Sequence, residues 1–146
     1  MARQPAPHSR ARGGAARRVI AVLLDGSTAA RRAVHHALER AKRDRRLEVV
    51  LIGLEPRLLH RLSPAMARLV IPGRLTAAGR TREARALFEM HRVPCRIAGA
   101  SGPPAVAVAH VMDAHQCNEI VIAGHDRAPV HPSALAARCG RRVTVV

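Results

Sequence analysis

There is no tryptophan or tyrosine in this chain, and Phe88 is its single phenylalanine. Without aromatic platforms, stacking on single-stranded nucleic acid is largely closed to it, and the core has to be built from Val, Leu, Ile, Ala and Met. Lysine is almost missing as well, with Lys42 the only one among 25 basic residues. Cysteine is scarce: Cys95, Cys117 and Cys139 are odd in number, far apart and free of any C-x-x-C pair. They read as free thiols of a reducing compartment. No apolar run approaches the length of a membrane span, and the N-terminus has no apolar h-region of a secretory signal. A soluble, cytoplasmic protein without a membrane partner is expected. Neither a G-x-x-x-x-G-K-[ST] loop nor a G-x-S-x-G elbow is present, and no Ser or Cys has a recognisable base beside it, so no catalytic residue is assigned.

What is present is enough for one domain. A chain of 146 residues, 48% of them hydrophobic, buries roughly 70% of the surface its unfolded form exposes. The formal net charge of +15 attracts phosphate, nucleic acid or anionic lipid whether or not it was selected to do so. The arginine-rich, lysine-poor balance is also what a GC-rich genome produces, and that plainer origin is preferred. Residues 1–17 are basic, free of acids and without periodicity, and are read as a disordered tail rather than a transit peptide. Residues 18–146 are the folded domain.

The most informative stretch is Val19-Ile20-Ala21-Val22-Leu23-Leu24-Asp25-Gly26-Ser27. A run apolar on both faces reads as a strand, about Arg18 to Leu24, covered by helices on both sides. Asp25 then stands at the carboxyl end of a central strand, where open α/β folds place their ligands. After Ser27, read as an N-cap, Ala30, Ala33, Val34, Ala37, Leu38 and Ala41 step by three and four as an amphipathic helix does. Leu47 to Leu54 is the second strand. Residues 57–73 are ambiguous between a short helix and an apolar excursion broken by Pro64 and Pro72. Helical spacing returns over 75–91, followed by a third strand over 93–98 and a turn at Gly99-Ala100-Ser101-Gly102. Pro103-Pro104 opens a helix closed by His115. A fourth strand over 119–123, a loop, a short helix over 133–138 and a last strand over 143–146 complete the chain. Strands and helices alternate throughout, the pattern of right-handed crossovers and a parallel sheet with helices on both faces.

These residues resemble a known family. Val22 to Ser27, V-L-L-D-G-S before an alanine-rich helix, is similar to the V-x-x-D-G-S opening of universal stress proteins. Gly102-Pro103-Pro104-Ala105 resembles the family's G-x-P-A, and Asn118-Glu119-Ile120-Val121-Ile122-Ala123-Gly124-His125 its D-x-I-V-M-G-x stretch. Val143-Thr144-Val145-Val146 stands where the family has its P-V-L-V-V strand. The resemblance implies a Rossmann-like, adenine nucleotide alpha-hydrolase-like fold, an open five-stranded parallel sheet in the order 3-2-1-4-5, and a homodimer paired through residues 143–146. A short apolar terminal strand with an unpaired edge is itself a template for such pairing.

The resemblance also implies a nucleotide site. Members that bind ATP combine the first-strand acid with a loop of the form G-x-x-G, about nine residues, then G-S or G-T, whose glycines and helix-start amides approach the phosphates. Carried onto this chain, the cofactor-binding candidates are Leu23, Leu24, Asp25, Gly124, Arg127, Ser133 and Ala134. Gly124 matches the first glycine, but Arg127 stands where the second should be, and only Ala128, Pro129, Val130 and His131 separate it from Pro132-Ser133. Pro132 has no amide proton to give. Arg127, His125 and His131 bring cationic donors instead, and an arginine can hold phosphate bidentately. Asp25 serves equally well as an N-cap or turn-former with no ligand. A zinc site from Cys117, His125, His131 and Cys139 matches no standard spacing, and His110 with His115 does not share a helical face, so no metal is assigned.

The resulting expectation is a universal stress protein-like, non-enzymatic stress-response homodimer with a degenerate nucleotide site. It requires no cofactor, with ATP the nucleotide the site could take. Two alternatives stand beside it. One is an ATP-binding switch or slow ATPase; the other is non-specific, salt-sensitive nucleic-acid binding through the arginine-rich surface.

Overall fold

The computed structural model describes residues 16–54 and 77–146. Five strands form one sheet: β1 (Arg18–Leu24), β2 (Leu47–Leu54), β3 (Cys95–Ala100), β4 (Glu119–Ile122) and β5 (Arg142–Val145). Their order across the sheet is β3-β2-β1-β4-β5, with every adjacent pair parallel. Four helices cover it: α1 (Ala30–Arg43), α2 (Ala77–Met90), α3 (Pro104–Ala114) and α4 (Pro132–Cys139). The ambiguous reading of residues 57–73 and nearly all of the basic tail lie outside the described residues.

Alternation along β1 divides the core. Ile20, Val22 and Leu24 point to α1 and α2, where they meet Ala33, Val34, Ala37, Leu38 and Phe88. Val19, Ala21 and Leu23 point to α3 and α4 and meet Val108, Met112 and Leu135. The period of two explains why the run had to be apolar at every position. The small alanines of α1 let that helix lie close on the strands, and the lone phenylalanine, Phe88, is fully buried beneath α2.

Several boundaries differ from the sequence reading. The N-cap of α1 is Ala29 and not Ser27. Ser27 Oγ does accept from the Ala30 amide at 3.2 Å, but its own proton goes to Asp25, and one turn of chain intervenes before the regular helix. The third strand runs on to Ala100 through residues read as a turn. Gly99 and Ala100 pair with Gly53 and Leu54 of β2, so the ladder continues until Gly102, whose φ of 104° breaks it. The last strand begins one residue early, at Arg142. Pro103 and Pro104 do open α3, and His115 closes it.

One buried charge holds β4 and β5 to α1. Glu119, the first residue of β4, is 2% exposed. It accepts two hydrogen bonds from Arg40 of α1, at 2.7 and 3.0 Å, and one from Thr144 of β5, at 2.6 Å. Burial alone would raise its pKa, but the hydrogen bonds from Arg40 and Thr144 and the charges of Arg40 and Arg142 outweigh it, and the carboxyl lies below its ordinary value. Among the described residues no helix is long and apolar enough to cross a membrane.

Candidate functional site

β1 and β4 are neighbours in the sheet while their following helices lie on opposite faces, so the crevice at their carboxyl ends is the topological switch point of the fold. Asp25 follows β1 there, and Gly124 and His125 follow β4. The backbone of β1 turns at Gly26, whose φ of 83° suits glycine and strains other residues. That turn folds Ser27 back onto the Asp25 side chain. The Ser27 amide donates to Asp25 Oδ1 at 2.9 Å and the Ser27 hydroxyl donates to the same oxygen at 2.6 Å. This is the Asx-turn in which an aspartate satisfies its own loop.

The other carboxylate oxygen is engaged from across the crevice. His125 Nε2 donates to Asp25 Oδ2 at 2.7 Å, and the two side chains are only 22% and 7% exposed. Desolvation of Asp25 works to raise its pKa. Hydrogen bonds from His125 and Ser27, with the charge of His125, overcome that cost and hold the carboxyl below its usual value. A second link runs alongside, because Arg32 of α1 donates through Nη2 to the Gly124 carbonyl at 2.6 Å. The crevice is therefore crossed by two side-chain bridges.

The loop after β4 departs from a phosphate cradle. The Gly124 amide donates to the Val146 carbonyl at 2.9 Å and so is committed to the sheet. A Cβ at Gly124 would stand 3.0 Å from Val145 Cγ1, so this glycine serves the close approach of β5. Arg127, Ser133 and Ala134 are exposed, while Leu23 and Leu24 are buried on opposite faces of the sheet. Of the candidates read from sequence, the fold brings Asp25 and Gly124 together at the switch point. Ser133 shares a hydrogen bond with His131 Nδ1 at 2.7 Å. That corrects the reading that no serine has a base beside it, although the pair is exposed and lies within one turn of chain.

Chemically the arrangement holds charge and does not relay protons to a nucleophile. A Ser-His-Asp relay needs the imidazole between hydroxyl and carboxylate. Here Asp25 lies between Ser27 and His125, so the imidazole takes no proton from the hydroxyl. Among the described residues no group of three or more His, Cys, Asp or Glu is placed to hold a metal ion; Cys117, His125, His131 and Cys139 do not converge.

Sequence reasoning placed His125 in the loop as a phosphate donor and missed its pairing with Asp25. The signal was available in outline: in the order 3-2-1-4-5 both residues follow the carboxyl ends of adjacent strands. It also missed Arg32, which had been assigned to the wet face of α1. Arg80 was overlooked too; from α2 it donates to the Ser27 carbonyl at 3.1 Å and braces the same turn.

With this geometry established, comparison with known proteins is informative. The model of the universal stress protein family matches residues 16–136. No curated protein sequence gives a significant match. Among solved structures, a universal stress protein in complex with cAMP aligns with a TM-score of 0.64 at 18% identity, over 90% of this chain and 97% of that one. A protein of the same family from Burkholderia pseudomallei aligns with a TM-score of 0.59 at 20% identity, over 91% and 98% of the two chains. A universal stress protein family protein from Arabidopsis thaliana with AMP bound aligns with a TM-score of 0.61 at 15% identity, over 88% and 90%. At such identities the solved structures establish the fold, and the family match covers most of the chain. The protein belongs to the universal stress protein family.

Proposed function

We propose that the chain is a non-enzymatic stress-response protein whose domain, residues 18–146, keeps the family's switch-point acid but has turned it inward. The observation that carries this reading is the double engagement of the Asp25 carboxylate, one oxygen by Ser27 and the other by His125. A nucleotide seeking Asp25 would have to displace a buried, charge-assisted hydrogen bond. It would also find the Gly124 amide committed to Val146 and Gly124 O committed to Arg32. Arg127, Ser133 and Ala134 remain as exposed groups toward which phosphates could turn, beside Leu23 and Leu24 of the strand.

Titration calorimetry with ATP and magnesium, AMP and cAMP tests the reading. No heat and no thermal shift at millimolar nucleotide is expected. Saturable micromolar binding that Asp25→Ala abolishes would overturn it in favour of an ATP-binding switch or slow ATPase. Two solved relatives, which carry cAMP and AMP, favour keeping that second reading in the experiment.

The same proposal includes a cytoplasmic homodimer paired through β5. That strand is the edge of the sheet, and its Val145 is 49% exposed. An apolar side chain on an unpaired edge is what a second copy would cover.

A further inference from the structure

Away from the switch point, α1 and α2 diverge and leave a cleft of about 200 Å³ between them. Leu24, Ala30, Val34, Ala84 and Leu87 form its apolar lining. Three basic side chains, Arg31, His35 and Arg80, and one acid, Glu83, stand round it with Ser27. Arg80 is the informative member. One of its nitrogens, Nη1, donates to the Ser27 carbonyl at 3.1 Å, while its Nε is buried and has no hydrogen-bond partner. A buried guanidinium N–H left unpaired is costly, and native structures rarely keep one without a reason.

We propose that this cleft binds a small ligand with an apolar body and a carboxylate head, the carboxylate accepting from Arg80 Nε and the body lying against Val34, Ala84 and Leu87. Charge complementarity selects the head, since three bases face one acid and the orphaned donor belongs to an arginine, whose fork matches a carboxylate. Size selects the body. A cavity of about 150 Å³ accommodates benzene, so this cleft has room for a chain of about six carbons. A whole nucleotide has too little apolar surface to match such a lining. The site is separate from the Asp25–His125 crevice, and its occupancy does not depend on whether nucleotide binds there.

Sodium hexanoate is the probe, titrated into the full chain and followed by amide chemical shifts in two-dimensional NMR. Saturable shifts are expected at Ala30, Val34, Ala84 and Leu87. Arg80→Gln should weaken the interaction about tenfold or more, as loss of a charge-assisted hydrogen bond does, and hexan-1-ol should bind correspondingly less. Val34→Phe, which fills the cleft without touching Arg80, should abolish the shifts while circular dichroism stays native. This second variant decides the matter should Arg80→Gln fail to fold. The proposal is overturned if hexanoate produces no saturable shift, if hexan-1-ol binds as well as hexanoate, if Val34→Phe leaves binding intact, or if the shifts fall only on Asp25, Gly124 and His125. The last result would place the ligand in the crevice and would bear on the degenerate-site reading instead.

Discussion

At the scale of the single residue, Asp25 shows how one side chain serves two demands. Its Oδ1 closes the turn after β1 and its Oδ2 ties that turn to the end of β4. Asp25→Asn keeps an oxygen for Ser27 but loses the charge that faces His125. It should destabilise the fold at neutral pH by about 1 to 2 kcal/mol, in the range for a hydrogen bond to a charged group, measured by urea unfolding. The sign of its pH dependence follows from the lowered pKa. A carboxyl whose folded value lies below its ordinary 3.8 contributes stability that is complete above that value and is lost as pH falls through the folded pKa. The parent protein should therefore lose stability in acid more steeply than Asp25→Asn. Equal slopes would mean that the charge contributes nothing.

At the scale of the elements, two ion pairs of similar geometry should differ greatly in consequence. Arg85 and Glu89 meet at 2.8 Å on the surface of α2 and are both more than half exposed. Such a helical i,i+4 pair contributes about 0.3 to 0.5 kcal/mol, and Arg85→Ala should scarcely move the urea midpoint. Glu119 is buried at the start of β4 and joins α1, β4 and β5 through Arg40 and Thr144. Removing one partner of a buried pair costs about 3 to 5 kcal/mol, so Glu119→Ala should destabilise by about 3 kcal/mol and loosen β5 first. Replacing both Arg40 and Glu119 by Met should recover much of that loss, because the remaining charge is no longer stranded. Hydrogen exchange of the β5 amides in Glu119→Ala and in the double variant checks both statements. The pKa of Glu119 is also held below its ordinary 4.5, so the pair's contribution is complete above that value and fades as pH falls through the folded value.

At the scale of the whole molecule, the edge of the sheet and the net charge govern what the protein meets. If β5 pairs with its copy, Val145→Lys places a charge on that edge and should convert a dimer to a monomer in sedimentation at micromolar concentration, with the far-ultraviolet spectrum unchanged. A parent protein that sediments as a monomer refutes the pairing. The charge of +15 predicts association with duplex DNA of any sequence. Being driven by counterion release, it should fall by on the order of 10³ between about 50 and 200 mM salt, as read by fluorescence anisotropy with labelled DNA. Binding that ignores salt would require a specific surface instead.

The order of strands and helices, the central place of β1 and the family were legible before any coordinates, because they depend on local periodicity. A strand apolar on both faces must be covered on both, and an alanine stripe at helical spacing must face a sheet. Asp25 was placed at a switch point for the same reason. The partners of Asp25 and Glu119 were not legible. His125 lies 100 residues from Asp25 along the chain, and Arg40 lies 79 from Glu119; contacts over such separations exist only once the sheet has set adjacent strand ends side by side. The orphaned nitrogen of Arg80 and the cleft beside it belong to the same class, since unfilled space between two helices is a property of their packing and leaves no mark on the spacing within either. The chain's local pattern determined which fold would form and where a ligand would have stood. Only the packed structure decided that the acid at that position would be paired with a histidine of its own chain.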